Sequence, residues 1–344
     1  RAAPTNVDPL DIEVTKNWEQ IIAEVWAAVS HGRVPSLPVP VILGDNDDVD
    51  ADALEAEMRT VVVSELKKGS EDLGFVVLNR PHSVVAALER GSLTFDEQWV
   101  LVAETDHLFL KPLPNSLPAD DPSVEAVGYN FHYMDPKRSP RTIGLVRRFA
   151  GEAHYAGVQQ VGPSPILITT AALRRVAPAW EEISFALKKD AEADAEFGWM
   201  LEMWGYSIAA AKVSLRHKLD PLLQIEPSQQ FGLTITSGGR PTHGIYHYTF
   251  GLVLQGGGRS WRLDKRMYYG GYPADHLQMP PACTAKSGFI MAGLWNEAAQ
   301  GIEGWPNRVA TPREDGHADT PLARLLSITP DDGAALPPLA RLLR

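Results

Sequence analysis

Apolar and polar positions along the chain alternate with two different periods, and the changes of period mark helices and strands. Between a capping Asn17 and Gly32, apolar residues recur at helical spacing and predict a first helix. Short continuous apolar runs, by contrast, are typical of buried strands. They predict strands at residues 39–43, 60–63, 75–78, 99–103, 165–169, 206–211 and 245–250.

Helical patterns separate several of these runs and suggest the fold class. One covers residues 83–89, and a longer one follows residue 169, with a predicted break at Pro178. Strands buried on both faces and separated by helices favour an α/β fold with a mostly parallel central sheet and helices on both faces. An antiparallel sheet with one helical layer is the alternative.

Length and composition fit a sizeable globular core. The chain has 344 residues, of which 44% are hydrophobic, and this suits one large domain or two small ones. We assign residues 1–306 to a single large domain. Residues 307–344 are a tail that forms a short helix or stays disordered.

Charge and hydropathy narrow the classes of partner. The formal net charge is -11 and no long basic run is present, so we expect no nucleic-acid partner. No apolar run approaches the roughly 20 residues that span a bilayer. An anionic ligand remains compatible with the negative net charge, because a few cationic side chains or a divalent metal ion at its site make the local electrostatic potential positive.

Two carboxylates follow one of the predicted strands. Glu104 and Asp106 come directly after the apolar run that starts at Trp99. Ligands of open α/β sheets bind beyond the carboxyl ends of strands, and a cation relieves repulsion between two close carboxylates. A hard divalent ion, Mn²⁺ or Mg²⁺, suits oxygen ligands and would bridge diphosphate oxygens. The alternative is a solvated turn.

A histidine-bearing segment offers further metal ligands. His247 lies in the predicted strand 245–250 and is the better candidate, ahead of His243. Each histidine can instead be a satisfied structural residue. His107 is a further candidate ligand, but a packing or supporting role is favoured, because side-chain direction alternates along a strand and turns it away from Asp106.

Other polar and aromatic residues are candidates for the rest of a binding site. Lys265 and Arg266 suit a diphosphate clamp, or form an ordinary solvated basic pair. Arg80 and its neighbour Asn79 open a predicted helix, where they can meet a phosphate or sugar or simply cap the turn. Trp199 and Tyr206 suit either a sugar or peptide groove or the core.

Six stretches together resemble the hydroxyproline O-arabinosyltransferase family, and their order and spacing match from about Trp18 to Trp305. They are Gly74–Pro81, Val102–Phe109 with Pro112–Asn115, Gly162–Pro165, Phe197–Tyr206, His247–Gly251 and Trp261–Arg266. The family usually has proline where Thr105 stands, and the tail after Pro306 has no counterpart.

The resemblance implies a GT-A-like fold and a type II Golgi membrane protein whose catalytic part is in the Golgi lumen and whose anchor is absent from this chain. It implies transfer of L-arabinofuranose from a UDP-sugar to 4-hydroxyproline in extensin-like cell-wall proteins or secreted peptides. Peptidyl-serine galactosyltransfer and an inactive glycoprotein-binding relative are the alternatives. A non-enzymatic wall or scaffold protein fits least, because Pro-rich and Ser-rich repeats are lacking.

The resemblance also implies residue roles. Glu104, Asp106 and His247 would hold Mn²⁺ or Mg²⁺, and Asn79 and Arg80 would lie at the donor site. Thr5 and Asn6 are the remnant of a nucleotide-binding strand, near uracil or ribose.

The expected reaction retains anomeric configuration, with the leaving phosphate taking the acceptor proton. Catalysis then depends on Asp106 with its metal, on Lys265 and Arg266, and on positioning. Glu202 would orient the acceptor or stabilise an oxocarbenium-like centre.

Overall fold

The structure is a computed structural model, and it is described here over well-placed segments of the chain. These are residues 41–45, 60–89, 98–104, 106–110, 113, 121, 123–227, 241–249, 251–256, 259–264, 277, 279–280 and 286–301. They fall into two compact units. The first unit holds the described residues between 106 and 113 and those from 224 onward, and the second unit holds those of 41–104 and 121–223.

The described residues form eleven strands and six α-helices. The strands are β1 (Val41–Asp45), β2 (Thr60–Ser64), β3 (Trp99–Val102), β4 (His107–Phe109), β5 (Ala126–Gly128), β6 (Ile166–Thr169), β7 (His217–Leu219), β8 (Gln224–Ile225), β9 (Ile245–His247), β10 (Gly251–Gly256) and β11 (Arg259–Asp264). The α-helices are α1 (Asn79–Glu89), α2 (Pro140–Ala150), α3 (Thr170–Lys189), α4 (Ala191–Phe197), α5 (Leu201–Lys212) and α6 (Lys286–Gly301).

The main sheet of the second unit has four strands in the order β3-β6-β5-β7. Strand β6 is antiparallel to both β3 and β5, whereas β5 and β7 are parallel. A separate parallel pair joins β1 and β2. Three 3-10 helices, Val76–Leu78, Tyr155–Gly157 and Gly198–Met200, complete the unit's regular structure among the described residues.

Three helices of the second unit, α2, α3 and α4, begin at side chains that satisfy free backbone amides. Ser139 accepts a hydrogen bond from the Thr142 amide and precedes Pro140, the first residue of α2. Thr169 accepts from the Ala172 amide at the start of α3, and Asp190 caps α4. These caps fix where each helix starts and therefore which faces pack together.

Helix α5 is buried along almost its whole length and packs against α3. Gly205 makes this close approach possible, because a Cβ at that position would collide with Oγ of Ser184 and lie 3.1 Å from the Ser184 backbone Cα. Trp180 of α3 donates its indole N–H to the backbone carbonyl of Glu202, at 3.2 Å. The two helices therefore meet backbone to backbone.

The first unit contains a three-stranded sheet in the order β4-β9-β8, a hairpin of β10 and β11, and helix α6. Strand β9 is antiparallel to β4 and parallel to β8. None of the described helices is both long and apolar enough to cross a membrane.

The α/β class is confirmed, but a mostly parallel sheet is not. Among the described pairs, three are parallel and four antiparallel, so the sheets are mixed. Apolar runs report burial, and burial does not determine the direction of a neighbouring strand. The GT-A-like fold and the single large domain over residues 1–306 stay predictions. The first predicted helix and residues 307–344 lie outside the described residues.

Three local predictions were wrong for physical reasons. Residues 206–211 form part of helix α5 rather than a strand, because a buried apolar run looks the same in both and its alanines favour helix. Residues 76–78 form a 3-10 helix after a tight turn in which Gly74 has a φ of 73°. Helix α3 continues through Pro178 instead of breaking there. Ala177 before the proline and Trp180 after it are both buried.

We predict that Gly205→Ala lowers the free energy of unfolding by about 1–3 kcal/mol, because the added methyl group forces α3 and α5 apart. Urea denaturation measures the change. Gly144→Ala in α2 is the matched control, since nothing lies within 4 Å of its added Cβ. We expect that control to stabilise the helix by about 0.5–1 kcal/mol. Equal effects of the two substitutions would contradict this account of the α3–α5 contact.

Candidate functional site

A cluster of three potential metal ligands lies at one end of the β4–β9 pair in the first unit. Antiparallel register places His107 directly opposite His247, so their side chains share one face of the sheet. Asp106 precedes β4, and the ligand atoms of all three residues lie within 4.8 Å of one another. The two imidazole rings are 4.6 Å apart at an angle of 70°.

The cluster is largely shielded from solvent. Asp106 is 7% exposed and His107 is fully buried. His247 Nε2 lies 3.3 Å from Asp106 Oδ1. A buried carboxylate requires a compensating positive charge. A protonated His247 supplies that charge, and so does a divalent cation.

The donor set itself restricts which cation fits. One carboxylate oxygen and two imidazole nitrogens suit a transition-metal ion such as Mn²⁺ better than Mg²⁺, which prefers oxygen ligands and retained waters. These described residues therefore form a possible metal-binding triad.

The sequence interpretation ranked His107 below His247 as a ligand and favoured a packing role for it. The alternation of side-chain direction along one strand says nothing about the neighbouring strand. The triad forms because the register between β4 and β9 places His107 opposite His247. Residues 107 and 247 are far apart in the sequence, so their pairing is not readable from local pattern. The nearest signal in the sequence is that His107 directly follows Asp106, while His247 lies in the predicted strand 245–250.

A second cluster of charges lies in the second unit and is centred on Arg80. Its guanidinium is 3.0 Å from Glu104 Oε2 and 3.2 Å from Glu202 Oε2. Arg80 comes from the first turn of α1, Glu104 follows β3, and Glu202 is in the first turn of α5. The side chains of Arg80 and Glu104 are about one-third exposed, while Glu202 is 1% exposed.

Glu202 is therefore the buried end of this cluster. Its burial raises the pKa of the carboxyl to about 7, with Arg80 acting in the opposite direction and Glu104 adding to the rise. Among the described residues, no hydrogen-bond donor reaches its Oε1.

The structure joins some predicted site residues and separates others. It brings Asp106 to His247, and Arg80 to Glu104 and Glu202. Glu104 belongs to the second unit and Asp106 to the first, so Glu104 as a metal ligand stays a prediction. Asn79 Oδ1 accepts a hydrogen bond from the Leu66 amide at 2.8 Å, which is a structural contact.

The remaining predicted residues have separate outcomes. Thr5, Asn6, Lys265 and Arg266 lie outside the described residues. Tyr206 is a core residue, as its hydroxyl lies 2.7 Å from His217 Nε2 and both are buried. Trp199 is 61% exposed.

Comparison with known proteins identifies the family of this chain. The model for the hydroxyproline O-arabinosyltransferase family N-terminal domain matches residues 46–219, and that for the family's C-terminal domain matches residues 244–306. The chain is 35% identical over 260 residues to hydroxyproline O-arabinosyltransferase RDN2 of Medicago truncatula, covering 74% of this chain and 69% of that protein. The chain belongs to the hydroxyproline O-arabinosyltransferase family.

Two further members of the family are similarly related. Hydroxyproline O-arabinosyltransferase 3 of Arabidopsis thaliana is 34% identical over 265 residues, with 74% of this chain and 69% of that protein covered. Hydroxyproline O-arabinosyltransferase PLENTY of Lotus japonicus is 34% identical over 265 residues, with 74% and 68% covered. No solved structure matches this chain. The predicted family, and with it the glycosyltransferase class, are confirmed.

The family's two matched segments contain both clusters. The N-terminal segment holds Arg80, Glu104, Asp106, His107 and Glu202, and the C-terminal segment holds His247. The possible metal-binding triad therefore draws residues from both segments of the family.

We expect Mn²⁺ to bind the purified protein and the variants Asp106→Asn, His107→Gln and His247→Gln each to weaken binding at least about tenfold. Isothermal titration calorimetry with Mn²⁺ alone measures this. Glu152→Gln, which removes an exposed carboxylate, is the control and should bind like the original chain. No Mn²⁺ binding by the original chain would show that the cluster is only an Asp106–His247 ion pair.

The raised pKa of Glu202 predicts a pH-dependent stability. The pKa is 4.5 for an ordinary glutamate and about 7 in the folded chain, so the folded state holds an extra proton between these values. The free energy of unfolding therefore falls as pH rises through this window, by about 3 kcal/mol from this group, and is level above it.

Glu202→Gln should remove this dependence. The difference in unfolding free energy between the original chain and the variant should change by about 3 kcal/mol across the window in urea denaturation. Other titrating groups cancel in the difference, and Glu152→Gln should follow the original chain. A difference that is the same at every pH would rule out a titrating Glu202.

Proposed function

We propose that this chain transfers L-arabinofuranose from a UDP donor to the hydroxyl of 4-hydroxyproline in extensin-like cell-wall proteins or secreted peptides. The observation that carries the proposal is the similarity to proteins named hydroxyproline O-arabinosyltransferases over segments that contain both charged clusters. Such an acceptor is a secreted protein, and we place the reaction in the Golgi lumen.

The metal-binding triad supports a divalent-metal-dependent reaction. Asp106, His107 and His247 would hold Mn²⁺, which their mixed oxygen and nitrogen donors fit better than Mg²⁺. The ion would neutralise charge that develops on the leaving diphosphate. Glu104 remains a further candidate ligand.

Arg80 supports the donor side of the proposal. Its guanidinium is partly exposed and lies in the first turn of α1, where backbone N–H groups and the helix dipole favour an anion. Two carboxylates hold it in place, so it is oriented before any ligand arrives. An oriented guanidinium binds phosphate oxygens with two hydrogen bonds. Lys265 and Arg266 would add charge to the same ligand.

The position of Glu202 favours an indirect role. It is buried beneath Arg80 and pairs with it, so contact with an acceptor would require Arg80 to move. We infer that Glu202 orients Arg80 and is a positioning residue. Proton transfer then falls to the leaving phosphate, which is consistent with retention of the anomeric configuration.

The direct test is transfer from UDP-L-arabinofuranose to a hydroxyproline peptide in the presence of Mn²⁺. We expect the original chain to form arabinosyl-hydroxyproline and Asp106→Ala to lose at least about 100-fold in kcat/KM, because loss of a direct metal ligand should cost at least as much as loss of its supporting contacts. Glu152→Ala should retain full activity. Mass spectrometry of the peptide and NMR of the new linkage measure the product.

Other outcomes of the same assay would overturn the proposal. UDP-galactose as the preferred donor with serine as the acceptor would assign the chain to a different peptidyl transferase. Binding of acceptor with no turnover of any UDP-sugar would indicate an inactive relative. Full activity of Asp106→Ala would reject the metal assignment even if arabinose transfer is observed.

A further inference from the structure

An exposed row of aromatic rings lies on the second unit, outside both charged clusters. His132 and Tyr133 follow β5, and Trp199 lies in the 3-10 helix Gly198–Met200. Successive ring centroids are 5.3 Å apart for His132 and Tyr133 and 5.4 Å apart for Tyr133 and Trp199. His132, Tyr133 and Trp199 are called the aromatic platform below.

Trp199 is the most exposed large apolar side chain among the described residues, at 61%. Exposure of an indole leaves a large apolar area in water, and solvent-exposed aromatic surface is typical of interaction sites. Its neighbours in the sequence are not loosely held, since Phe197 is 1% and Met200 is 8% exposed. Trp199 is thus presented to solvent by a buried, ordered segment.

The base of the platform is packed as tightly as the core. Phe131 is 2% exposed and lies 5.5 Å from Tyr133 and 4.9 Å from Tyr129, measured between ring centroids. Phe197 stacks on Trp204 at 5.0 Å. Rings held in place lose little conformational entropy when a ligand covers them.

Arg138, the arginine nearest to Tyr133 along the chain, is already paired. The Arg138 guanidinium lies 3.1 Å from Glu196 Oε1 and donates to Thr142 Oγ1 at 3.1 Å. The platform therefore offers aromatic faces together with indole, phenol and imidazole hydrogen-bonding groups. This chemistry suits an uncharged ligand that is apolar on one side and carries hydrogen-bond acceptors.

We propose that the aromatic platform binds the acceptor as an extended, proline-rich peptide in the polyproline II conformation. The inference rests on the proposed function, because it is the hydroxyproline acceptor that supplies such a peptide. A polyproline II helix rises about 3.1 Å per residue, so the observed ring spacing corresponds to about two residues. Pyrrolidine rings pack on aromatic faces, and exposed backbone carbonyls accept hydrogen bonds.

The platform is placed to present its ligand near the Arg80 cluster. Trp199 precedes Glu202 by three residues on one continuous helical segment, which corresponds to a rise of about 5–6 Å. Glu202 in turn pairs with Arg80. A peptide of several residues lying on Trp199 therefore has neighbouring residues within reach of that cluster.

The test compares a long acceptor with a short one. We expect Trp199→Ala to raise KM about tenfold for a peptide of about six hydroxyprolines, two turns of polyproline II, without changing kcat. KM for the single residue N-acetyl-4-hydroxyproline methylamide, and KM for the UDP donor, should stay the same. Trp199→Phe should restore most of the loss, because it keeps an aromatic face.

Leu222→Ala is the matched control, since Leu222 is also a large apolar side chain in the second unit and is 50% exposed. It should leave both acceptors unchanged. Circular dichroism and Tm measurements on each variant check that folding is intact. Tyr133→Ala should act in the same direction as Trp199→Ala and provides a second, independent substitution.

A binding measurement separates this inference from the proposed function. Calorimetric titration with the six-residue peptide needs no turnover, and Trp199→Ala should weaken that binding about tenfold relative to Leu222→Ala. If the original chain transfers no sugar but shows this difference, the proposed function fails and the platform stands. Equal peptide binding by the two variants, equal KM changes for long and short acceptors, or Trp199-dependent binding of an arabinan oligosaccharide instead of the peptide would overturn the inference.

Discussion

A charged side chain that is buried away from water needs an oppositely charged partner, and this constraint determines which residues form both clusters. Glu202 is almost fully buried and has Arg80 as its counterion, while Asp106 lies beside His247. In each pair the side chain that carries the carboxylate is less exposed to solvent than the side chain of its partner. The buried group is therefore fixed by folding, and the partner remains able to interact with a ligand.

The two clusters handle this constraint differently. Arg80 stays charged at any physiological pH, so the second-unit cluster has a permanent cation balanced by two carboxylates. The Asp106 cluster has imidazoles, which can be neutral ligands or cations. A permanent guanidinium suits a fixed anion-binding role, whereas imidazoles allow exchange between a proton and a metal ion.

The sequence identified the kinds of residue in these sites better than their partners. Glu104, Asp106, Arg80 and His247 were candidates because each lies in or beside a predicted strand or helix start, and Glu202 was a candidate for the reaction that the family resemblance implies. Which of them touch could not be predicted, because Arg80 and Glu202 are 122 positions apart. His107 was ranked below His247 as a ligand for the same reason, as its role depends on the strand opposite.

The fold was predictable to a similar extent. The strands predicted from short apolar runs agree with the structure in β2, β3 and β6. Helix α5 was misread over residues 206–211, because burial on all sides removes the polar face that normally reveals a helix. Strand direction is set by contacts between distant segments and has no local signal.

The contact between Gly205 and Ser184 has a consequence for how this sequence can change over time. No side chain fits at position 205 while α3 and α5 keep their separation, and a bulkier residue at 184 would meet the same obstacle from the other helix. Since Glu202 and Tyr206 flank Gly205 on α5, drift at this point would displace a charged cluster and a core hydrogen bond together. Substitutions at positions 184 and 205 are therefore expected to occur together.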